Sequence, residues 1–329
     1  MPDWIVTDED RELFERELDS FVPETIFDAH AHWYSTRHFA PEALSPFLKE
    51  GPADAGADAF RQAMQEMIPG RKIDGLFFPY PNKKVDTAAA NEFIVQELKH
   101  APGSYGQMLI TPEMDPEFIR EKVRGGSFAG LKCYHVYSQV QPTWESPIED
   151  FLPESHVKIA HEEGLSITLH IVRARALADR VNQKTLRRYC GAYPNMRMIL
   201  AHAGRGFNPH HTLEGIDSLK GLTNVWFDTS AITDSGAFEA ILRTFGPERL
   251  LYGADYPVSQ LRGRCVALGD SFFWISEENT QLKVPYADLK LSLVGLESLR
   301  SLKLAAYACR LSDTEVEGIF RTYARQLFP

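Results

Sequence analysis

Short apolar runs alternate with longer amphipathic segments along most of the chain. The runs are rich in β-branched and aromatic residues, a composition typical of buried strands. The predicted strands cover residues 25–29, 73–79, 105–111, 128–134, 165–171, 196–201, 224–227 and 249–252. The predicted helices between them cover residues 86–98, 116–123, 148–163, 174–190, 211–220 and 236–244.

Strands that alternate with helices predict βαβ units and a parallel sheet. Eight such units within about 250 residues fit a closed (β/α)8 barrel, or TIM barrel, better than an open doubly wound sheet. No Gly-x-Gly-x-x-Gly motif follows the first strand, which removes the main argument for a dinucleotide-binding fold. The pattern therefore predicts an α/β fold with one TIM-barrel domain.

Additional helices are predicted at both ends of the chain. Residues 7–20 are charged and helical in pattern, so we expect residues 1–24 to form a helical extension ahead of a barrel at 25–329. Residues 286–311 and 314–327 also have helical patterns, and they predict C-terminal helices beyond the eight units.

The stretch that follows the first strand is unusually long. Residues 34–71 include Pro41, Pro46 and Pro52, and then a predicted helix at 58–67. An ordinary βα connection is much shorter, and long loops in compact domains are often functional. We therefore expect this loop to lie near a functional site.

Composition limits the partners and the location. The 329 residues carry a formal net charge of −10, which argues against nucleic acid or an anionic membrane as a partner. The N-terminus lacks the basic start of a signal peptide, and no apolar run approaches the ~18 residues of a membrane span. Widely spaced cysteines without a Cys-x-x-Cys pair predict reduced thiols and a cytoplasmic protein: Cys133, Cys190, Cys265 and Cys309.

Two histidines stand at the end of the first predicted strand, in Phe27-Asp28-Ala29-His30-Ala31-His32-Trp33. Alternate residues of a strand project to the same side, so the imidazoles of His30 and His32 lie side by side. Such a pair can hold one divalent metal ion, although packing or hydrogen bonding is an equally simple explanation for the motif alone.

Further polar residues stand where later strands end. They are Lys132, His170, His202, Asp228 and Asp255, and each step between them is close to one βα unit. In a barrel these side chains would converge at the C-terminal mouth, where TIM-barrel enzymes place their chemistry. Each has a simpler explanation by itself, such as a helix cap for Asp228 or a solvated end for Lys132. Their joint occurrence in register favours a site.

These motifs resemble the amidohydrolase superfamily, and specifically its amidohydrolase-related branch, also called amidohydrolase 2. The resemblance rests on Asp28-Ala29-His30-Ala31-His32, His170, His202-Ala203-Gly204 and Tyr252-Gly253-Ala254-Asp255-Tyr256-Pro257, and it runs from about Phe27 to the C-terminus. One departure is Arg321-Thr322-Tyr323, where the family usually has an asparagine.

The resemblance implies one divalent metal ion held by His30, His32, His170 and Asp255, with His202 beside it. Three nitrogens and one oxygen suit zinc, although Mn, Fe, Co and Ni remain open. Lys132 stands where binuclear members carry a carbamylated lysine, so a second, bridged ion is an alternative.

We expect metal-dependent hydrolysis of a small, carboxylate-bearing amide, ester or lactone. Asp255 would move the proton of a metal-activated water, and His202 would polarise the substrate carbonyl or stabilise the oxyanion. Other residues near the strand ends are candidates for substrate binding, with solvated surface or core packing as the alternative: Arg173, Arg175, Arg205, Trp33, Tyr134, His135 and Tyr137.

Two other functions remain open. Members of the same branch perform non-oxidative decarboxylation of aromatic or muconate-type acids, although Lys132 in its Gly-Leu-Lys context looks more like the hydrolytic members. A barrel that binds a small ligand without turnover is the other alternative, and metal analysis would separate it from an enzyme. A homo-oligomer through residues 286–311 is possible in any of these cases.

Overall fold

A computed structural model of the chain describes residues 3–126, 128–276 and 290–328. Eight parallel strands follow one another around a curled sheet, each paired with the next along the chain. They are β1 Thr25–Ser35, β2 Lys72–Pro79, β3 Tyr105–Leu109, β4 Gly130–Cys133, β5 Ser166–Leu169, β6 Arg197–Leu200, β7 Val225–Asp228 and β8 Leu250–Leu251.

The sheet closes between its last and first strands. The backbone N–H of Ala29 donates to the carbonyl of Tyr252 at 2.8 Å, and the N–H of Asp255 donates to the carbonyl of His30 at 2.8 Å. A parallel bridge between Ala31 and Tyr256 continues the pairing. The predicted single-domain TIM barrel is confirmed.

Helices surround the strands, and further helices lie near the two termini of the chain. The α-helices and π-helices of the described residues are Asp8–Leu13, Phe14–Leu18, Pro46–Glu50, Ala57–Met67, Thr87–Glu97, Pro116–Arg124, Glu154–Glu162, Arg180–Ala192, Ala201–Arg205, Pro209–Gly215, Ser235–Phe245, Val294–Cys309, Asp313–Glu317, Gly318–Thr322 and Tyr323–Leu327. The predicted helix at 286–311 begins at Val294 within the described residues, and its positions 286–289 lie outside them.

The N-terminal helix is capped and held against the barrel. Thr7 and Asp10 form a capping box at its start. Asp10 is buried and pairs with the guanidinium of Arg262 at 2.6 Å, 252 positions along the chain. A buried charge requires a partner of this kind. This ion pair therefore attaches the helix to the segment that follows β8.

A β-bulge in β1 decides which side chains reach the barrel interior. The register shifts by one residue between Asp28 and Ala31, opposite Gly75 and Phe77 of β2. An extra residue reverses which face each later side chain takes. Phe27 and Ala29 therefore pack inside with Phe78, and the imidazoles of His30 and His32 also face inward beside that ring.

The long segment predicted after β1 is confirmed. The structure also has a β-hairpin after β8, which was not predicted. The segment contains the helices Pro46–Glu50 and Ala57–Met67 and a two-residue strand, Asp54–Ala55, antiparallel to the end of β1. The hairpin strands Arg264–Leu268 and Ser271–Ile275 follow β8. No helix in the described parts of the chain is long and apolar enough to cross a membrane.

Candidate metal centre

Three predicted ligands meet at the C-terminal ends of β1 and β8. One ligand atom each from His30, His32 and Asp255 lie within 4.8 Å of one another, and all three residues are buried. The Nε2 atoms of His30 and His32 are 3.5 and 3.6 Å from the same oxygen, Asp255 Oδ1. Two nitrogens and a carboxylate oxygen that converge in this way can supply three of the four ligands of a tetrahedral metal site.

Hydrogen bonds fix the orientation of both imidazoles. His30 Nδ1 lies 2.8 Å from Asp228 Oδ2, and His32 Nδ1 lies 3.1 Å from the carbonyl oxygen of Pro79. Both partners are acceptors, so each Nδ1 carries the proton and each Nε2 presents a lone pair. A metal-binding histidine is usually held by such a second hydrogen bond.

The chemistry of the cluster fits a divalent metal ion. His30 Nε2 is buried and has no hydrogen-bond partner among the described residues, although it faces Asp255. Burial lowers the pKa values of His30 and His32 well below the usual range, with a smaller contribution from the positive charge of Lys132. Both imidazoles are therefore neutral at physiological pH, as metal binding requires.

The carboxylate of Asp228 accepts hydrogen bonds from three residues of the site, which are His30, His202 and Ser230. Its Oδ2 accepts from His30 Nδ1, and its Oδ1 accepts from the backbone N–H of His202 at 2.8 Å. The hydroxyl of Ser230 also donates to Oδ1 and lies 2.8 Å from His202 Nδ1. Burial raises the pKa of Asp228, and these donors oppose that shift by stabilising the carboxylate. Asp228 therefore orients the imidazole of His30 and holds the backbone of His202.

Several residues of the candidate site lie in left-handed backbone conformations. The turn that begins at His202 has φ angles of 55° at His202 and 58° at Arg205, and Asp255 has φ 59°. Such conformations cost roughly 1–2 kcal/mol per non-glycine residue. Hydrogen bonds hold them, because His202 N–H donates to Asp228 and Asp255 N–H donates to His30 O. Backbone strain of this kind concentrates at functional sites.

The other two predicted ligands lie beside this cluster. The imidazole of His170 is 4.9 Å from that of His202, ring centre to ring centre, and its buried Nδ1 has no partner among the described residues. It lies outside the group of three. Lys132 is fully buried, and its Nζ lies 4.5 Å from the centre of the Phe78 ring that also contacts His30 and His32.

The ammonium group of Lys132 interacts with the carboxylates of the site without direct contact. Its Nζ has no hydrogen bond to any described residue. Burial lowers the pKa of Lys132, while the carboxylates of Asp228 and Asp255 act in the opposite direction. Burial likewise raises the pKa of Asp255, and Lys132 opposes this. The barrel interior therefore contains one lysine and two carboxylates whose protonation depends on one another.

The structure separates the three candidate arginines. Arg175 is exposed and pairs with Glu214 and Asp270. Arg173 pairs with Asp179 at 3.0 Å and donates to the carbonyl of Glu145. Both are thus engaged by residues outside the site.

Arg205 has no carboxylate within ion-pair distance among the described residues. One guanidinium nitrogen donates to the carbonyl of Arg173, and the group lies 5.1 Å from the centre of the Phe272 ring. Burial lowers its pKa. Its positive charge contributes to the lowered pKa values of His170 and His202, so it lies near both. A half-buried cation without a counter-ion favours an anionic ligand.

Aromatic rings form two sides of the mouth. Tyr134 lies 4.6 Å from His170, ring centre to ring centre, and His135 lies 5.6 Å from it. On the other side Phe207 stacks on His202, and Phe272 and Trp274 of the hairpin pack against Phe207. Tyr137 donates to the carbonyl of Asn82, on the loop after β2.

Trp33 lies on the opposite side of β1 from the histidines. Its fully buried indole stacks on Phe77, with ring centres 3.8 Å apart. The bulge in β1 explains this position, because it turns His32 inward and the next residue outward. Trp33 thus packs between the sheet and the helix Ala57–Met67, where it approaches Phe60.

Sequence reasoning gave no role in the metal centre to two carboxylates, Asp228 and Asp28. Asp228 stands in register with the other strand ends, and that register was the available signal for it. Asp28 Oδ1 accepts from the N–H groups of His30 and Ala254, so it ties β1 to the segment that carries Asp255. Burial raises the pKa of Asp28 to about 7. Asp28 belongs to the motif Asp28-Ala29-His30-Ala31-His32, but the sequence does not indicate that its carboxylate connects the two segments.

Most of the chain matches a known protein family. The sequence model of a family described as amidohydrolase matches residues 27–329. No curated protein sequence matches the chain.

Several solved structures share the fold at low sequence identity. An amidohydrolase from Burkholderia multivorans with bound zinc is 13% identical, with a TM-score of 0.58 over 92% of this chain and 99% of that one. A probable 2-pyrone-4,6-dicarboxylic acid hydrolase from Acinetobacter baumannii is 15% identical, with a TM-score of 0.58 over 92% and 98%. The 5-carboxyvanillate decarboxylase from Sphingomonas paucimobilis is 11% identical, with a TM-score of 0.58 over 93% and 99%.

Proposed function

Because the chain belongs to the amidohydrolase family, we propose that it is a metal-dependent hydrolase of a small, carboxylate-bearing amide, ester or lactone. The observation that carries the proposal is the convergence of His30, His32 and Asp255 on one point of the barrel mouth. The family includes both hydrolases and decarboxylases, so the reaction itself is part of the proposal.

We propose that His30, His32, His170 and Asp255 hold one zinc ion, in agreement with the nitrogen-rich ligand set. The zinc-containing Burkholderia structure has the same fold and supports this choice. When bound, such an ion lowers the pKa of its water to about 7. A second ion on a carbamylated Lys132 stays an alternative, since Lys132 is buried beside the same ring as the histidines.

The chain's own residues supply proton transfer and charge stabilisation. The carboxylate of Asp255 would accept the proton of the attacking water and pass it to the leaving group. His202 has Nδ1 engaged by the carbonyl of Ser230 at 3.0 Å, so Nε2 is its free ring nitrogen. A proton that solvent supplies to Nε2, and that returns to solvent when the product leaves, would let His202 donate to the developing oxyanion.

We assign the substrate carboxylate to Arg205 and the adjoining wall to Tyr134. Arg205 is the candidate arginine without an ion pair among the described residues, and its guanidinium can hold a carboxylate by two hydrogen bonds. The Tyr134 ring beside His170 would form the wall next to it. Arg173, engaged by Asp179, would shape the pocket through the carbonyl that Arg205 contacts.

Replacement of Arg205 by alanine is expected to raise KM about thirtyfold or more for a carboxylate-bearing substrate, with a smaller change in kcat. The reason is that the carboxylate of the substrate would lose the guanidinium that holds it. Steady-state kinetics on the acid and on its methyl ester provide the measurement. Arg187→Ala, at an exposed helix position, is the control. Equal KM values for Arg205→Ala and the wild type would refute the assignment.

Non-oxidative decarboxylation of an aromatic or muconate-type acid is the second candidate. The similarity in fold to 5-carboxyvanillate decarboxylase supports it, as does Arg205, since both reactions need an anchored carboxylate. Asp255 would then move a proton at carbon rather than at oxygen. The Gly130-Leu131-Lys132 context favours hydrolysis.

One pair of assays distinguishes the two reactions. The zinc-loaded protein is tested for hydrolysis of lactones and amides that carry a carboxylate, and for carbon dioxide release from hydroxybenzoates. We expect hydrolysis with no release of carbon dioxide. Carbon dioxide release without hydrolysis would replace the proposed function by the second candidate.

We further propose a cytoplasmic protein whose partner is a small molecule rather than nucleic acid or a membrane. The four cysteines are unpaired thiols, which agrees with a reducing compartment. The formal charge of −10 disfavours polyanions. Exposed Leu304 and Tyr307 on the helix Val294–Cys309 leave a homo-oligomer open.

A further inference from the structure

The β-hairpin that follows β8 has two faces of different composition. Its strands are antiparallel, and their register places Phe272 opposite Ala267 and Trp274 opposite Cys265. Residues that stand opposite each other share one face of such a pair of strands, and the residues between them take the other face. Phe272 and Trp274 therefore lie on one face of the hairpin, and Phe273 lies on the other.

The two faces also have different surroundings. Phe272 and Trp274 pack against Phe207, with ring centres 5.1 and 5.5 Å from the centre of that ring. Phe207 in turn stacks on the imidazole of His202. Phe273 is exposed. The hairpin thus directs one aromatic face toward the mouth of the barrel and the other toward solvent.

Side chains from outside the hairpin hold it in place. The buried side chain of Asn208 donates from Nδ2 to two backbone carbonyls of the turn, at 3.1 and 2.9 Å. Asp270, also in the turn, pairs with His211 at 3.0 Å and with Arg175 at 3.1 Å. At the other end, the hydroxyl of Thr233 makes hydrogen bonds of 2.9 and 3.0 Å with the backbone of the first strand. The hairpin is therefore attached at both ends, and this fixes the positions of its rings.

Phe272 contacts the arginine that we assign to the substrate carboxylate. The guanidinium carbon of Arg205 lies over the Phe272 ring, 5.1 Å from its centre. The face of an aromatic ring attracts a guanidinium at this distance, and the attraction is larger when the cation is partly removed from water. Within the described residues the guanidinium has one hydrogen bond, to the carbonyl of Arg173. The Phe272 ring is thus a second contact that orients it.

We propose that the hairpin determines specificity for acids, because the Phe272 ring holds the guanidinium of Arg205 in the orientation that binds the substrate carboxylate. Phe272 is then a positioning residue, which acts through Arg205. A guanidinium that is oriented in advance loses less conformational entropy when it binds a carboxylate by two hydrogen bonds. The inference rests on the proposed role of Arg205 and adds a residue on which that role depends.

Steady-state kinetics on a carboxylate-bearing substrate and on its methyl ester measure the effect. Phe272→Leu keeps an apolar side chain but removes the ring, and it should raise KM for the acid about fivefold or more, with a smaller change for the ester. Phe272→Tyr keeps the ring, so its KM for the acid should stay within about twofold of the wild-type value. Phe273→Leu makes the same change on the exposed face and should leave KM unchanged.

A double-mutant cycle tests whether Phe272 acts through Arg205. In the Arg205→Ala protein, the further change Phe272→Leu should not raise KM for the acid again. An increase of the same size with and without Arg205 would overturn the inference, because Phe272 would then act independently of the guanidinium. Equal KM values for Phe272→Leu and the wild type would also overturn it.

A measurement without substrate separates this inference from the proposed function. Phenylglyoxal reacts with arginine side chains, and peptide mass spectrometry gives the rate of reaction at Arg205. Phe272→Leu should raise this rate about threefold or more, since the guanidinium loses the ring that holds it, whereas Phe272→Tyr and Phe273→Leu should not. If the wild type hydrolyses no test substrate, the proposed function fails. An unchanged rate at Arg205 in Phe272→Leu would overturn the role of Phe272 in either case.

Discussion

Asp255→Asn is expected to lower kcat by about 10²- to 10⁴-fold while the protein remains folded. Asparagine has the shape of aspartate but cannot accept and return a proton. The carboxylate of Asp255 faces the imidazoles of His30 and His32, at 3.5 and 3.6 Å, and the ring of His202 at 3.7 Å. No other described carboxylate has this position. The loss should therefore appear in kcat even when the substrate is saturating.

Two controls separate the proton role from other causes. Zinc content is measured at saturating metal, because Asp255→Asn also removes the negative charge of a proposed ligand. Asp58→Asn changes a carboxylate that is 92% exposed, and it should leave kcat within about twofold. Near wild-type rates for a zinc-loaded Asp255→Asn protein would remove this residue from the mechanism.

Asp228→Asn is expected to weaken zinc affinity about 10- to 100-fold. Asp228 accepts hydrogen bonds from His30 Nδ1, the N–H of His202 and the hydroxyl of Ser230. An amide offers one acceptor and one donor group, so at least one of these buried donors loses its partner. The same loss should lower the free energy of unfolding by about 1–3 kcal/mol.

Competition with a chelator measures the zinc affinity, and thermal unfolding measures the stability. Asp217→Asn is the matched control, since the Asp217 carboxylate is exposed and pairs only with Lys220 among the described residues. Recovery of activity in Asp228→Asn at high zinc would identify a positioning role. Zinc affinity equal to that of wild type would contradict the orientation of His30 by Asp228.

The fold could be predicted because its signal repeats. Eight apolar runs at regular spacing leave few arrangements other than a barrel, and each run matches a strand. Helix starts were less predictable. The helix predicted from residue 148 begins at Glu154 after Pro153, and the one predicted from 174 begins at Arg180 after the cap Asp179. Proline and cap residues decide such boundaries more precisely than apolar periodicity does.

The candidate site was only partly predictable. Residues at strand ends converge because parallel strands share one edge, and this argument identifies His30, His32 and Asp255 without coordinates. The bulge at Asp28–Ala31 has no signature in the sequence, so the outward position of Trp33 could not be foreseen. The three arginines looked equivalent, since the partners that engage Arg173 and Arg175 follow only from the loop structure.

The most direct test of the central claim is the metal content of the purified protein after reconstitution and removal of excess metal. The claim is that His30, His32 and Asp255 bind one ion together. It predicts about one equivalent of zinc for the wild type and a large loss for His32→Ala, whose Nε2 faces Asp255. Less than roughly 0.2 equivalents of any transition metal in the reconstituted wild type would contradict it.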